Sequence, residues 1–170
     1  KRAYPQLEFR RLYTSHAYHS TMMEPILEEF AGVAGGITLN KPQIPYISNV
    51  SGKWISVEEA VDPAYWARHI RSTVRFSDGL DLLLAEPNAT FLEVGPGRAL
   101  STFVRQHKNK TPPHLILNLL RHPNEKVTDS VHLLEKIGRL WLNGKKIDWQ
   151  GFYFHEKRQR LALPSYPFQR

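Results

Sequence analysis

Thr14-Ser15-His16-Ala17-Tyr18-His19-Ser20 is the stretch on which the reading of this chain turns. Its two histidines stand at a junction. Before them runs an alternation, Leu7, Phe9 and Leu12 against Glu8, Arg10 and Arg11, which predicts a strand over 7–14. After them Met22, Met23, Ile26, Leu27, Phe30 and Val33 recur at helical spacing, with Glu24, Glu28 and Glu29 on the wet face and Gly35-Gly36 ending the element. Ser20 or Thr21 is a natural N-cap for that helix, and Pro25 falls in its first turn, where a missing amide costs little. A histidine at such a handover can be aimed into a cleft as a general base. A turn that happens to contain histidines fits the same residues, for the chain has eight of them.

Working outward, helices and strands alternate. Pro45 to Val50 reads as a short strand, Val57 to Ala60 as a helical turn, and Asp62-Pro63 as a helix start with aspartate capping and proline at the first helical position. The helix or helix pair that follows runs from Ala64 to about Leu84, interrupted near Val74 to Ser77. Thr90 to Val94 is a buried strand, Gly95-Pro96-Gly97 turns it into a helix over about Arg98 to His107, and Leu115 to Leu119 is a second apolar strand. Val131, Leu134, Ile137, Leu140 and Trp141 form a helical stripe closed by Gly144 as C-cap. Beyond it Trp149, Phe152, Tyr153 and Phe154 crowd an irregular tail, a pattern that packs onto another surface.

Composition limits the chemistry. With 170 residues, 41% of them apolar, the chain is long enough for one domain, or one lobe with an appendage, around a packed core. It has no cysteine, which removes disulfides and cysteine-based metal or redox sites. No His-x-x-x-His pair occurs and nothing acidic completes a site with His16 and His19, so no metal is expected. No apolar run is long enough to span a bilayer and no basic-then-apolar leader opens the sequence, which reads as a soluble, cytoplasmic protein. The net charge of +7 and pI near 9.7 invite nucleic-acid binding. The basic residues are dispersed, however, and the one dense run, Lys157-Arg158-Gln159-Arg160, reads as a solvated face. Gly95-Pro96-Gly97-Arg98 has neither Walker nor dinucleotide spacing and reads as a structural turn.

A family resemblance extends over nearly the whole chain. Ser15-His16-Ala17-Tyr18-His19-Ser20 resembles the His-Ala-Phe-His-Ser segment of the acyltransferase domains of modular polyketide synthases, whose looser relatives are malonyl-CoA:acyl carrier protein transacylases. Ile44 to Gly52, Asp62 to Arg71, Val74-Arg75-Phe76 and Phe91 to Gly97 resemble successive blocks of that family in the right order. Leu119 to Pro123, Gly138 to Trp141, Ile147-Asp148-Trp149 and Leu163 to Arg170 resemble the segment that follows the acyltransferase and returns toward the ketosynthase.

The resemblance implies an α/β fold. Residues 1–122 would be the C-terminal part of the mostly parallel, hydrolase-like large subdomain, opening on the edge of a ferredoxin-like small subdomain, and 123–170 a helix and extended linker. It implies that His19 is the general base, that the backbone carbonyl of His69 orients it, and that His16, Tyr18 and Asn49 bind substrate. His16-Ala17-Tyr18-His19 is closer to the malonyl pattern than to the methylmalonyl one, with Tyr in place of Phe. The implied reaction moves a malonyl group from coenzyme A to the phosphopantetheine of an acyl carrier protein, with no cofactor bound by this chain.

The implied partners are that carrier protein, the ketosynthase with its linker, and an upstream acyltransferase segment; neither membrane nor nucleic acid is among them. The family's serine sits in a Gly-His-Ser-x-Gly elbow. No Gly-x-Ser-x-Gly occurs in these residues, and Ser15 and Ser20 lack the flanking glycines, so the nucleophile is expected upstream and this chain alone to be inactive. A noncatalytic docking fragment of such a synthase is the second reading of the same residues.

Overall fold

The structure, a computed structural model, describes residues 13–159 and 161–166. The chain divides into two compact units, 1–90 with 103–115 and 91–102 with 116–170. Most of the run expected as a strand at 7–14, and with it the edge of a small subdomain, lies outside the described residues; Tyr13 and Thr14 belong to no strand.

In the first unit the helix expected from Met22 begins later. Thr21–Ile26 winds as a 3-10 turn capped by the Ser20 hydroxyl, and α1 (Leu27–Gly35) follows. Pro25 lies inside that turn, and its ring crowds the carbonyl four residues back, which disfavours α winding until the proline is passed. α1 packs on α3 (Pro63–Arg71), which opens as its sequence predicts, with Pro63 in the first turn and the Asp62 carboxylate accepting from Ala64 N at 2.8 Å. Between them α2 (Val57–Ala60) carries a capping box of Ser56 and Glu59. After the interruption comes α4 (Phe76–Leu83). Met23, Ala34, Tyr65, Ala67, Leu80 and Leu84 are buried in this unit's core.

Residues 45–50 are not a strand. One antiparallel bridge joins Ile47 to Trp54, and between them the chain reverses because the Ser48 hydroxyl takes the amides of Val50 and Ser51, both at 3.2 Å. Gly52 closes the reversal at φ +69°, with Asp78 Cβ 2.6 Å from where its own Cβ would stand. Two features therefore require glycine there.

β1 (Thr90–Glu93) and β2 (Leu115–Asn118) form a two-stranded sheet. Leu115 donates to the Ala89 carbonyl and Leu119 to that of Glu93, so the paired numbers climb together and the strands are parallel. The crossover is α5 (Ala99–Gln106), giving the βαβ unit of an α/β fold. β1 is less buried than its sequence suggests: Leu92 is 43% exposed, and Val94 just beyond is 75% exposed. With only two strands paired, part of the sheet's apolar surface has no cover among the described residues.

In the second unit Leu117 is buried and α6 (Asp129–Leu142) presents the buried His132, whose Nε2–H donates to the Asn118 carbonyl at 3.0 Å. α6 ends as Gly144 predicts. Asn143 is the cap and Gly144 follows at φ +74°, its N–H on Trp141 O and that of Lys145 on Leu140 O, the two bonds of a Schellman motif. In the tail a short helix, α7 (Trp149–Phe152), capped by Asp148, gathers Trp149, Phe152 and Tyr153 against one another, while Phe154 remains 79% exposed.

Candidate active site

The helix end at Ser72 builds the site. The last carbonyls of an α-helix have no intrahelical donor. At the end of α3 those of His69 and Ile70 are taken by one residue, His19: its backbone N–H donates to Ile70 O at 2.9 Å, and its ring Nδ1 lies 2.9 Å from His69 O and 3.1 Å from Ser72 O. Carbonyl oxygens only accept, so Nδ1 carries the hydrogen and, in the neutral ring, Nε2 carries a free lone pair. His19 achieves this at φ +60°, in the left-handed region.

His69 contributes more than a carbonyl. Its ring meets that of His19 edge-on at 5.5 Å and lies beside Tyr65 and Trp66. Burial, and secondarily the charge of His19, hold its pKa below the usual histidine range, so the ring favours the neutral form. Its Nε2 is 3.4 Å from the Asn49 amide nitrogen. Asn49 is fixed on the reversal described above, its carbonyl accepting from Arg75 N at 2.9 Å. The sequence motifs thus bring His19, His69 and Asn49 together.

His16 and Tyr18 are placed differently. Their rings lie 6.3 Å apart at the surface, with His16 Nδ1 on the Ser15 hydroxyl and Tyr18 60% exposed. Ser20 is committed to the backbone, donating to Ala17 O at 2.5 Å and accepting from Met22 N. Its hydroxyl proton is therefore not held by His19.

Three residues that sequence reasoning passed over support the site. Ser72 supplies the second acceptor for His19, through a main-chain atom that no side-chain pattern reveals. Ser48 and Tyr65, both almost wholly buried, share a 2.8 Å hydrogen bond that ties the Asn49 loop to α3. A buried tyrosine requires a polar partner, and that requirement was the available signal.

Two alternative sites fail on geometry. Ser77, His107 and Asp81 cluster like a hydrolytic triad, with Ser77 Oγ 3.2 Å from His107 Nε2. Yet His107 Nδ1 accepts from Asn109 N, so in the neutral ring Nε2 bears the hydrogen and faces both Ser77 and Asp81 as a donor, which leaves no lone pair for the serine proton. The turn at 95–98 leads into the N-terminus of α5, where a phosphate could in principle sit. There the Glu93 carboxylate already accepts from Leu100 N at 3.2 Å and Ser101 N at 2.9 Å. Among the described residues no group of His, Asp or Glu could hold a metal ion, and no helix is long and apolar enough to cross a membrane.

Comparison with known proteins agrees with this fold. Residues 6–140 match the family model described as acyl transferase domain. A phenolphthiocerol/phthiocerol polyketide synthase protein of Mycobacterium tuberculosis is 37% identical over 165 residues, which are 95% of this chain and 11% of that protein. The acyl transferase domain of ZmaA superposes with a TM-score of 0.79 at 41% identity, over 86% of this chain and 34% of that one. The acyltransferase domain from the second module of the salinomycin polyketide synthase superposes with a TM-score of 0.78 at 34% identity, over 91% and 35%. The chain thus spans about a tenth of the mycobacterial synthase protein and about a third of each solved domain.

Proposed function

Because the chain belongs to the acyl transferase domain family, with relatives among modular polyketide synthases, we propose that it is the base-bearing part of an acyltransferase that loads malonyl groups onto an acyl carrier protein. One observation carries this reading: His19 Nδ1 is bonded to the carbonyls of His69 and Ser72, which turns Nε2 into the acceptor. A base must keep one tautomer and one orientation through a cycle. Donation from Nδ1 persists in both the neutral and the cationic ring, so the ring need not turn as it gains and loses a proton.

In the reaction proposed, His19 Nε2 takes the hydroxyl proton of a serine that lies outside these 170 residues as the serine oxygen attacks the malonyl thioester carbonyl. Collapse of the tetrahedral intermediate breaks the C–S bond, and the departing coenzyme A thiolate receives that proton. The phosphopantetheine thiol of the carrier protein then gives its proton to the same nitrogen and attacks the acyl-serine ester, and the proton returns to the released serine. Asn49, His16 and Tyr18 are assigned to substrate binding. The tail, with Phe154, Leu161, Leu163 and Tyr166 each more than three-quarters exposed, is assigned to contact with the ketosynthase side of the parent synthase.

His19→Ala in the acyltransferase domain carrying these residues should slow acyl-enzyme formation from malonyl-CoA by about a hundredfold or more. Near-normal loading would sink the assignment of the base. In competition malonyl-CoA should outpace methylmalonyl-CoA, and the reverse order would refute the extender. The 170 residues alone should gain no acyl group from malonyl-CoA; a malonylated serine within them would overturn the external nucleophile.

A further inference from the structure

His19 is held against the end of α3 from a strained backbone. Its φ of +60° is unfavourable for a residue with a Cβ, and such a conformation persists only where its surroundings over-determine it. Its three anchors, the carbonyls of His69, Ile70 and Ser72, all belong to the last turn of α3 or its cap. The base is therefore placed only as well as the segment after His19 is placed on that turn.

A second fastening joins the same two segments. Arg71, the last residue of α3, reaches Glu24 in the 3-10 turn that follows His19, with Nε 3.1 Å and Nη2 2.8 Å from one carboxylate oxygen. Both side chains are partly exposed, 37% for Arg71 and 56% for Glu24. An ion pair so exposed adds little to global stability. Its two-nitrogen fork nevertheless fixes a direction, which a lysine at the same place would not.

We propose that Glu24 and Arg71 are positioning residues for the base: their ion pair clamps the His19 segment to the C-terminal turn of α3 and keeps Nδ1 on its two carbonyls. The inference rests on the reading of His19 as base. Neither residue touches substrate in this role; each acts through the geometry of the imidazole.

The test uses the acyltransferase domain carrying this chain. Glu24→Gln and Arg71→Lys should each lower kcat for acyl-enzyme formation on the order of tenfold, because small misplacements of a base are costly. The KM for malonyl-CoA should stay unchanged and the melting temperature should move by no more than about 2 °C. The exchanged pair Glu24→Arg with Arg71→Glu should recover part of the lost kcat. Imidazole nitrogen shifts should report the Nδ1–H tautomer of His19 in the parent and a tautomer mixture in Glu24→Gln. Wild-type kcat in both single variants would overturn the clamp, as would losses that follow the melting temperature and are not recovered by the exchange. His19→Ala is measured alongside: its inactivity beside normal Glu24 and Arg71 variants sinks the clamp alone, whereas an active His19→Ala enzyme sinks the base and the clamp with it.

Discussion

At the scale of single residues, the site depends on which atoms are donors. His19 and His69 are both histidines of one helix-end cluster, yet one presents its ring and the other its carbonyl to the shared hydrogen bond. The protonation of His69 has a consequence for stability. Its pKa is lowered first by burial and then by His19, so below its usual value of 6.5 the unfolded chain takes up the proton before the folded one. The stability associated with neutral His69 is therefore complete above that value and declines as pH falls below it. His69→Gln keeps the backbone carbonyl and cannot titrate. Between about pH 7.5 and about pH 5.5 the melting temperature of the parent should fall more than that of the variant; parallel curves would contradict it. Gly52→Ala faces both a positive φ and the 2.6 Å approach of Asp78 Cβ, and should cost about 1–3 kcal/mol in chemical denaturation. That His19, His69 and Asn49 come together was legible in sequence, because ordered motifs carry them. Ser72 was not, since it acts through a carbonyl that every residue possesses.

At the scale of elements, boundaries followed local chemistry wherever one residue decided them. Asp62-Pro63 and Gly144 start α3 and end α6 as read, because a cap or a positive φ needs no tertiary partner. Pro25 and Ser48 mark where the reading failed. One moved the start of α1, and the other turned an expected strand into a reversal by capturing two amides. Glu93 shows an element end that sequence does not display, since its carboxylate caps α5 across the intervening turn. Burial pushes its pKa up, but hydrogen bonds from Ser101, Leu100 and Asn118 outweigh this and leave it below the usual 4.5. A carboxyl with a depressed folded pKa contributes stability that is present above the unfolded value and lost as pH falls through the folded one. Glu93→Ala should thus cost about 1–2 kcal/mol near neutrality, a deficit that shrinks as the medium is acidified below about pH 4.5. A deficit constant across that range would assign Glu93 to packing instead of capping.

At the scale of the whole molecule, the chain carries 23 basic and 16 acidic residues, yet several of the acids are already paired, Glu24 with Arg71, Asp62 with Arg68 and Asp129 with Arg121 among them. What the sequence alone makes legible here is the sign of the field. It does not show where the field is used, because a partner's surface determines that and the chain spans only about a third of the solved domains it matches. If the partner is a carrier protein of opposite charge, the net +7 acts on encounter more than on the bound complex. Charges more than a Debye length apart are screened once salt reaches about 0.1 M, where that length is roughly 10 Å. On the function proposed above, the second-order rate of acyl transfer to an acidic carrier protein by the domain carrying this chain should therefore fall several-fold between about 0.05 and about 0.5 M salt, while the rate at saturating carrier protein stays nearly flat. Exposed Lys41, Lys53 and Lys108 lie far apart in sequence, so replacing any one of them by Gln should reduce that dependence only slightly. A salt-independent second-order rate, or a saturated rate that falls in step with it, would contradict a part for the chain's net charge in encounter.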